Sequence, residues 1–260
     1  MKYGFIGCGN MGSAIAKALS KTTHDIILSD RTGKVAVLAK ELGVQSDTPR
    51  AVAEVSNRLF LAVKPQVMPE VLAELSPILQ KQKPIIISMA AGIEISKIEQ
   101  LIGTHLPVIR IMPNTPVLVG SGTILYCFND AVTDEIIADF LNDMKPCGLL
   151  DSIPEKLVDA ASAVSGCGPA YAYMFVEALS DAAVSCGLPR EQAITYAANM
   201  LLGAAQMVLQ TNQHPGVLKD AVCSPGGSTI AGVKVLEEEG FRGAVMDCIV
   251  AAYHKTQELG

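Results

Sequence analysis

The chain has 260 residues and a mass of 27.4 kDa, enough to bury roughly 70% of its unfolded surface. Only 18% of the residues are charged, against roughly 25% in a typical soluble protein, and mean hydropathy is +0.35, so the chain carries more apolar surface than one copy hides. A net charge of −6 lacks the basic surface a nucleic-acid binder uses, and no nucleic-acid partner is expected.

The chain opens MKYGFIG. A strand, Lys2–Gly7, therefore begins at once, and no signal or transit peptide is expected. The spacing of apolar residues then predicts helix Met11–Leu19, strand Asp25–Ser29, helix Lys34–Leu42 and strand Arg58–Val63. Helix Val67–Leu79, strand Ile85–Ser88, helix Glu94–Ile102 and strand Val108–Met112 follow. Strand Thr123–Cys127, helix Thr133–Met144 and strand Leu149–Asp151 complete the series. Strands alternating with helices imply right-handed crossovers and a parallel sheet covered on both faces.

Beyond about Asp151 the strands stop. Gly-Pro, Gly-Leu-Pro, His-Pro-Gly and Pro-Gly-Gly breaks punctuate helical stretches to the C-terminus. The division predicts an α/β domain over 1–153 and an all-helical domain over 154–260. Charge divides similarly. Residues 1–130 hold 13 Lys/Arg and 10 Asp/Glu, and residues 131–260 hold 7 and 16. The more basic half is the better candidate for a phosphorylated ligand.

Residues 192–218 contain no Asp, Glu, Lys or Arg, and Ala193–Gln210 is long enough to span a bilayer. However, Gln192, Thr195, Asn199, Gln206 and Gln210 recur at helical spacing and form one polar stripe. No Lys/Arg cluster flanks the segment, as a membrane span would favour. The expectation is a soluble helix, with no membrane partner, covered by another subunit. Seven cysteines from Cys8 to Cys248, without a C-x-x-C pair, make neither a disulfide framework nor a metal-ligand set. They fit a reducing, cytoplasmic compartment.

Gly7-Cys8-Gly9-Asn10-Met11-Gly12 follows a strand and opens a helix. The first Gly permits a tight turn, the second lets backbone approach a pyrophosphate, and the third lets helix and strand pack closely. The helix amino end then offers N–H groups to the anion. The second strand ends in Ser29-Asp30-Arg31-Thr32. An acidic residue there suits a free ribose hydroxyl, and an Arg suits a 2′-phosphate. With Arg31, Thr32 and Lys34 available, NADP(H) is preferred, with NAD(H) possible.

Hydride transfer to a carbonyl usually needs a proton donor. His24, His105, His214 and His254 all fall in loops or near chain ends, as surface or capping residues would. Lys64 ends a predicted strand and can serve either chemistry or cofactor orientation. The remaining loops are rich in Gly, Pro and hydroxyls, among them Ser224-Pro-Gly-Gly-Ser-Thr229, which opens a helix and can hold a carboxylate. Such loops suit an imine substrate, which is basic enough to arrive protonated and then accepts hydride directly.

These blocks together resemble pyrroline-5-carboxylate reductase along essentially the whole chain. The resemblance rests on Gly7–Gly12, Ala62-Val63-Lys64-Pro65, Ala90-Ala91-Gly92, Met112-Pro-Asn-Thr-Pro116, Ser165-Gly-Cys-Gly-Pro-Ala-Tyr171 and Ser224–Thr229. It implies a Rossmann-type parallel-sheet domain followed by a helical dimerisation domain, and a homodimer or higher homo-oligomer. It also implies NAD(P)H-dependent reduction of 1-pyrroline-5-carboxylate to L-proline, the last step of proline biosynthesis. Ser224, Gly226, Gly227, Ser228 and Thr229 would hold the substrate, with the Thr229 hydroxyl at the imine nitrogen. Ala62–Pro65 and Ala90–Gly92 would line the nicotinamide. Ala221 and Thr48-Pro49-Arg50 depart from the family, some members of which carry Asn at these places. The β-hydroxyacid dehydrogenases share the layout but use a Lys after the interdomain motif, and Ala170–Leu179 has none. A non-catalytic NADPH sensor would have no use for Ser224–Thr229.

Overall fold

The computed structural model describes residues 1–258. Its strands are β1 (Tyr3–Ile6), β2 (Ile26–Ser29), β3 (Gln45–Ser46), β4 (Arg58–Leu61), β5 (Ile85–Ser88), β6 (Val108–Met112), β7 (Gly122–Phe128) and β8 (Gly148–Ser152). They form one sheet in the order β3-β2-β1-β4-β5-β6-β7-β8. Between them run α1 (Asn10–Leu19), α2 (Lys34–Leu42), α3 (Pro49–Val55), α4 (Met68–Gln82), α5 (Ile95–Ile102) and α6 (Asp134–Met144). Helix α7 (Val158–Ser165) follows β8.

Residues along the strands alternate between two apolar layers. Phe5, Phe60, Ile87 and Ile109 pack with Ile15 and Leu19 of α1 and Phe140 of α6. Ile6, Leu59, Leu61, Ile86 and Val108 pack with Leu72, Leu75 and Leu79 of α4 and Ile98 of α5. Helices on both faces explain why the central strands read as nearly unbroken apolar runs. This is the Rossmann-type architecture expected, with one correction. β7 pairs antiparallel with β6, while β7 and β8 are parallel to each other. Residues 113–121 are too few for a helical crossover, which takes a dozen or more residues, so the chain must return antiparallel. β3 and α3 were not predicted. β3 has two exposed residues, too few to show a period. α3 begins with a Thr48 cap, whose side chain accepts from Ala51 N, and Pro49 in its first turn, a start signal carried by Thr-Pro itself.

Two arginines, Arg58 and Arg110, are sealed in the sheet. Arg58 of β4 is 2% exposed and pairs through Nη2 with Asp139 at 2.8 Å and through Nη1 with Asp143, both on α6. The Tyr3 hydroxyl donates to the same Asp143 carboxylate at 2.9 Å. These bonds fasten α6 to the sheet.

The chain divides into two units, Met1–Cys167 with the described residues of Ala252–Gly260, and Gly168–Ala251. The second contains α8 (Gly168–Ser185), α9 (Arg190–Thr211), α10 (Pro215–Ala221), α11 (Ser228–Glu238) and most of α12 (Phe241–Gln257). Of the 22 residues of α9, only Ala193 and Ala197 are buried. Leu202, Met207 and Leu209 stand exposed. No described helix is long and apolar enough to cross a membrane.

Asp143→Ala leaves Arg58 buried with only the half-exposed Asp139 opposite it. Loss of one partner of a buried pair is expected to cost about 3 kcal/mol. Urea unfolding at fixed protein concentration measures it, and an unchanged midpoint would show that the pair contributes nothing.

Candidate functional site

Strand order reverses where β1 sits between β2 and β4. In open α/β sheets ligands collect outside the carboxyl ends of the strands at such a point. Gly7 turns the chain out of β1 with φ +98°, and a Cβ there would lie 2.6 Å from the Ala62 carbonyl oxygen. Gly12 brings α1 against this turn, since its Cβ would lie 2.2 Å from the Gly7 oxygen. Gly9 caps α1 without any side-chain bond, and a Cβ at Gly9 would meet nothing within 4 Å. The Asn10, Met11 and Gly12 amides, in the first turn of α1, have no intrahelical acceptor. Asn10 and Met11 line a cleft of about 800 Å³ together with Cys8, Gly9, Thr32 and Lys34. Open space over a bare helix amino end fits the pyrophosphate of a dinucleotide.

Asp30 shapes the rim of this cleft. Its Oδ2 accepts from Cys8 N at 2.6 Å and its Oδ1 from Thr32 N at 2.8 Å, so both oxygens latch the loops after β1 and β2. Burial acts to raise its pKa, but these bonds, the Thr32 hydroxyl and the Arg31 charge outweigh burial and hold the carboxyl below its ordinary value. The latch therefore persists to lower pH than an ordinary aspartate would allow and is lost only as pH falls through the depressed pKa. Cys8 is no nucleophile, because burial, with the Asp30 charge, pushes its thiol up to about 12.

The other expected residues divide between the two units. Ala62 follows β4 and its N–H donates to Ile6 O at 2.8 Å. Val63, Lys64 and Pro65 continue that loop, Lys64 exposed. Ala90, Ala91 and Gly92 follow β5, so both loops leave the same carboxyl edge as Gly7–Gly12. Arg31 is exposed and lies outside the lining of the 800 Å³ cleft, which Thr32 and Lys34 reach. Lys17 also lines the cleft, a residue that sequence reasoning missed. Its spacing of seven from Asn10 was the available signal, since such residues share a helix face.

Ser224–Thr229 belongs to the second unit. Gly226 has φ +70°, and the Gly227 N–H donates to Ser224 O at 3.0 Å, turning the loop into α11. Gly227 caps α11 with no side-chain bond. The Ser228, Thr229 and Ile230 amides at its start are thus available to an anion. Thr229 is exposed, and its hydroxyl makes no capping bond. Among the histidines, the Nδ1 of His214 caps α10 by accepting from Gly216 N at 3.1 Å. His105 lies between Glu99 and Asp130. No histidine lines the cleft.

Residues 155–259 match the family described as pyrroline-5-carboxylate reductase dimerisation. Residues 2–92 match the family described as NADP oxidoreductase coenzyme F420-dependent. The pyrroline-5-carboxylate reductase of Escherichia coli (strain K12) is 42% identical, the alignment covering 99% of this chain and 98% of that protein. That of Synechocystis is 40% identical, covering 100% and 98%. Among solved structures, Plasmodium falciparum pyrroline carboxylate reductase with NADP bound aligns with a TM-score of 0.92 at 33% identity, covering 100% and 98%. The Streptococcus pyogenes 1-pyrroline-5-carboxylate reductase aligns with a TM-score of 0.92 at 33% identity, covering 99% and 98%.

Asp30→Asn should distinguish a latch from a ribose ligand. An amide can accept from Cys8 N or Thr32 N but presents its own NH₂ to the other, leaving a donor facing a donor. Affinity for NADPH and NADH should fall together, by about tenfold, as one hydrogen bond to a charged group is lost. A loss confined to NADH, measured by titration, would instead make Asp30 a ribose ligand.

Proposed function

The chain belongs to the pyrroline-5-carboxylate reductase family, and we infer from this premise that it reduces 1-pyrroline-5-carboxylate to L-proline with NAD(P)H, the last step of proline biosynthesis. It is an oxidoreductase acting on a C=N bond. When bound, the reduced nicotinamide supplies the hydride.

The residues divide the remaining work. Gly7, Cys8, Gly9, Asn10, Met11 and Gly12 hold the pyrophosphate. Arg31 and Thr32, with Lys34, favour the 2′-phosphate of NADP(H). That preference is supported by the engagement of Asp30 with its own loop amides and by the NADP bound to the Plasmodium relative. NAD(H) lacks the phosphate and is the weaker ligand. Ala62, Val63, Lys64 and Pro65 on one side and Ala90, Ala91 and Gly92 on the other flank the nicotinamide.

On the substrate side, Ser224, Gly226, Gly227 and Ser228 present hydroxyl and N–H groups to the carboxylate at the start of α11. The Thr229 hydroxyl orients the ring nitrogen. The observation that carries this assignment is a bare helix amino end beside a hydroxyl with no capping duty, in a chain whose cofactor cleft contains no histidine. A protonated imine needs no strong acid. Hydride adds to its carbon, the C=N π pair becomes the nitrogen lone pair, and the proton already on nitrogen stays there.

We assign residues 1–153 to cofactor binding and 154–260 to substrate binding and dimerisation, with a homodimer or larger homo-oligomer formed through the helical part. The exposed apolar side chains of α9 and the dimerisation-family match support this assembly. Seven free cysteines, several of them exposed or half-exposed, support a reducing, cytoplasmic location.

Thr229→Ala should lower kcat for pyrroline-5-carboxylate-dependent NADPH oxidation roughly tenfold. That is less than the ~10²-fold typical of donors facing developing charge, because the substrate arrives protonated. Thr229→Ser should retain most activity, and NADPH affinity should stay unchanged in both. A folded, fully active Thr229→Ala would end the assignment. Separately, Arg31→Ala should raise KM for NADPH more than for NADH. Equal effects would remove Arg31 from the phosphate site.

A further inference from the structure

The Met112–Pro116 block carries the chain out of β6 and back onto α1. A 3₁₀ turn, Thr115–Val119, follows the strand. Its Val117 is buried in the same apolar cluster as Ala14 and Ile15 of α1, and Met11 packs against that cluster. Gly122 makes room for it, since a Cβ there would lie 2.3 Å from the Val117 side chain. Asn114, 8% exposed, anchors the start of the turn. Its Oδ1 accepts from Thr123 N and its Nδ2 donates to Ser165 O, both at 2.9 Å, and its carbonyl accepts from Val117 N at 3.2 Å. Thr115, between Asn114 and Val117, is thus held by hydrogen bonds before it and burial after it. All these residues belong to the first unit.

Thr115 lines the cleft of about 800 Å³ beside Cys8, Gly9, Asn10 and Met11. Three hydroxyl side chains line that cleft, those of Ser13, Thr32 and Thr115. Two of them are committed to the protein. Ser13 Oγ donates to Cys8 O at 2.7 Å, and the Thr32 hydroxyl bonds to the Asp30 carboxylate. Thr115 is exposed, and among the described residues its hydroxyl has no hydrogen-bond partner. An uncommitted hydroxyl in a cleft that also holds a bare helix amino end can donate to a phosphate oxygen, and such a bond is strengthened by the charge on its acceptor.

We propose that Thr115 is a further cofactor-binding residue, whose hydroxyl donates to the pyrophosphate of the dinucleotide. Gly7–Gly12 offer backbone N–H groups to that anion, and the turn after β6 adds a side-chain donor from a separate part of the chain. The proposal rests on the reading of this cleft as a dinucleotide site. Because the pyrophosphate is common to NADP(H) and NAD(H), Thr115 adds affinity for both and selects neither, unlike the residues assigned to the 2′-phosphate.

Thr115→Val tests this by binding, because Val keeps the β-branched shape and removes the hydroxyl. Titration of the whole protein with NADPH, and with ADP as its competitor, needs no substrate. ADP carries a pyrophosphate but neither the nicotinamide ribose nor the 2′-phosphate. Both ligands should bind Thr115→Val about tenfold more weakly, the loss expected for one hydrogen bond to a charged group. Thr115→Ser should bind both like the wild type. Thr115→Ala, which also lacks the hydroxyl, replaces the Val variant if that fails to fold. Wild-type affinity of the Val variant for NADPH and ADP would overturn the proposal. So would a loss confined to NADPH, which moves the contact beyond the pyrophosphate, or a Ser variant as weak as the Val variant, which makes shape rather than the hydroxyl responsible. A wild-type protein that binds neither ligand would overturn the dinucleotide reading of the cleft, and Thr115 with it. Binding that depends on the Thr115 hydroxyl, in a protein that does not reduce pyrroline-5-carboxylate, would overturn the reaction and leave the role of Thr115 standing.

Discussion

The approach of Gly7 to Ala62 is the constraint on which the rest of the cofactor side depends. A Cβ at position 7 would lie 2.6 Å from the Ala62 oxygen, in a backbone conformation with φ +98° that side chains rarely adopt. Because no side chain intervenes, β1 and β4 stay paired to their carboxyl ends, and the Ala62 N–H donates to Ile6 O. The turn aims the amino end of α1 over the edge of the sheet, and Gly12 lets the helix settle there. Asp30 then secures the turn from the other side through Cys8 N. Two glycines and one carboxylate leave the bare amino end of α1 beside the carboxyl end of a buried strand.

Much of this was legible in the residues because each glycine has its own steric reason, and strand–loop–helix context follows from local pattern. Elements with a long apolar period were equally readable. The reversal of β7 was less so, since central strands present the same apolar run in either direction and only the short 113–121 connection carries the signal. The two-residue β3 has no period at all. The function of Asp30 was ambiguous beside Arg31, because sequence order does not reveal that both carboxylate oxygens are taken by backbone amides. Arg58 and Arg110 were also opaque. Their partners Asp139, Asp143, Glu155 and Asp159 lie 45 or more residues away, and only the folded sheet brings them together.

The substrate side rests on a different kind of signal. The Pro-Gly-Gly-Ser run marks a helix start, and the fold supplies one with an uncapped amino end and an unengaged Thr229 hydroxyl. Hydrogen-bonding groups without a strong acid suit a substrate that brings its own proton, and this chemical economy links the loop to an imine rather than a ketone. The apolar exposed length of α9 belongs to the same logic. Beyond Glu191 the helix carries no charge, and a second copy covering its exposed apolar side chains would link assembly to folding through mass action.

The proposed reaction is stoichiometric reduction of one cyclic imine to one amino acid. The most direct measurement incubates the wild-type protein with racemic pyrroline-5-carboxylate and excess NADPH, following absorbance loss at the nicotinamide band and resolving the product by chiral chromatography. One NADPH should be oxidised for each proline formed, with L-proline the product and half the imine left unreacted. Absence of NADPH oxidation, or oxidation without proline, would contradict it.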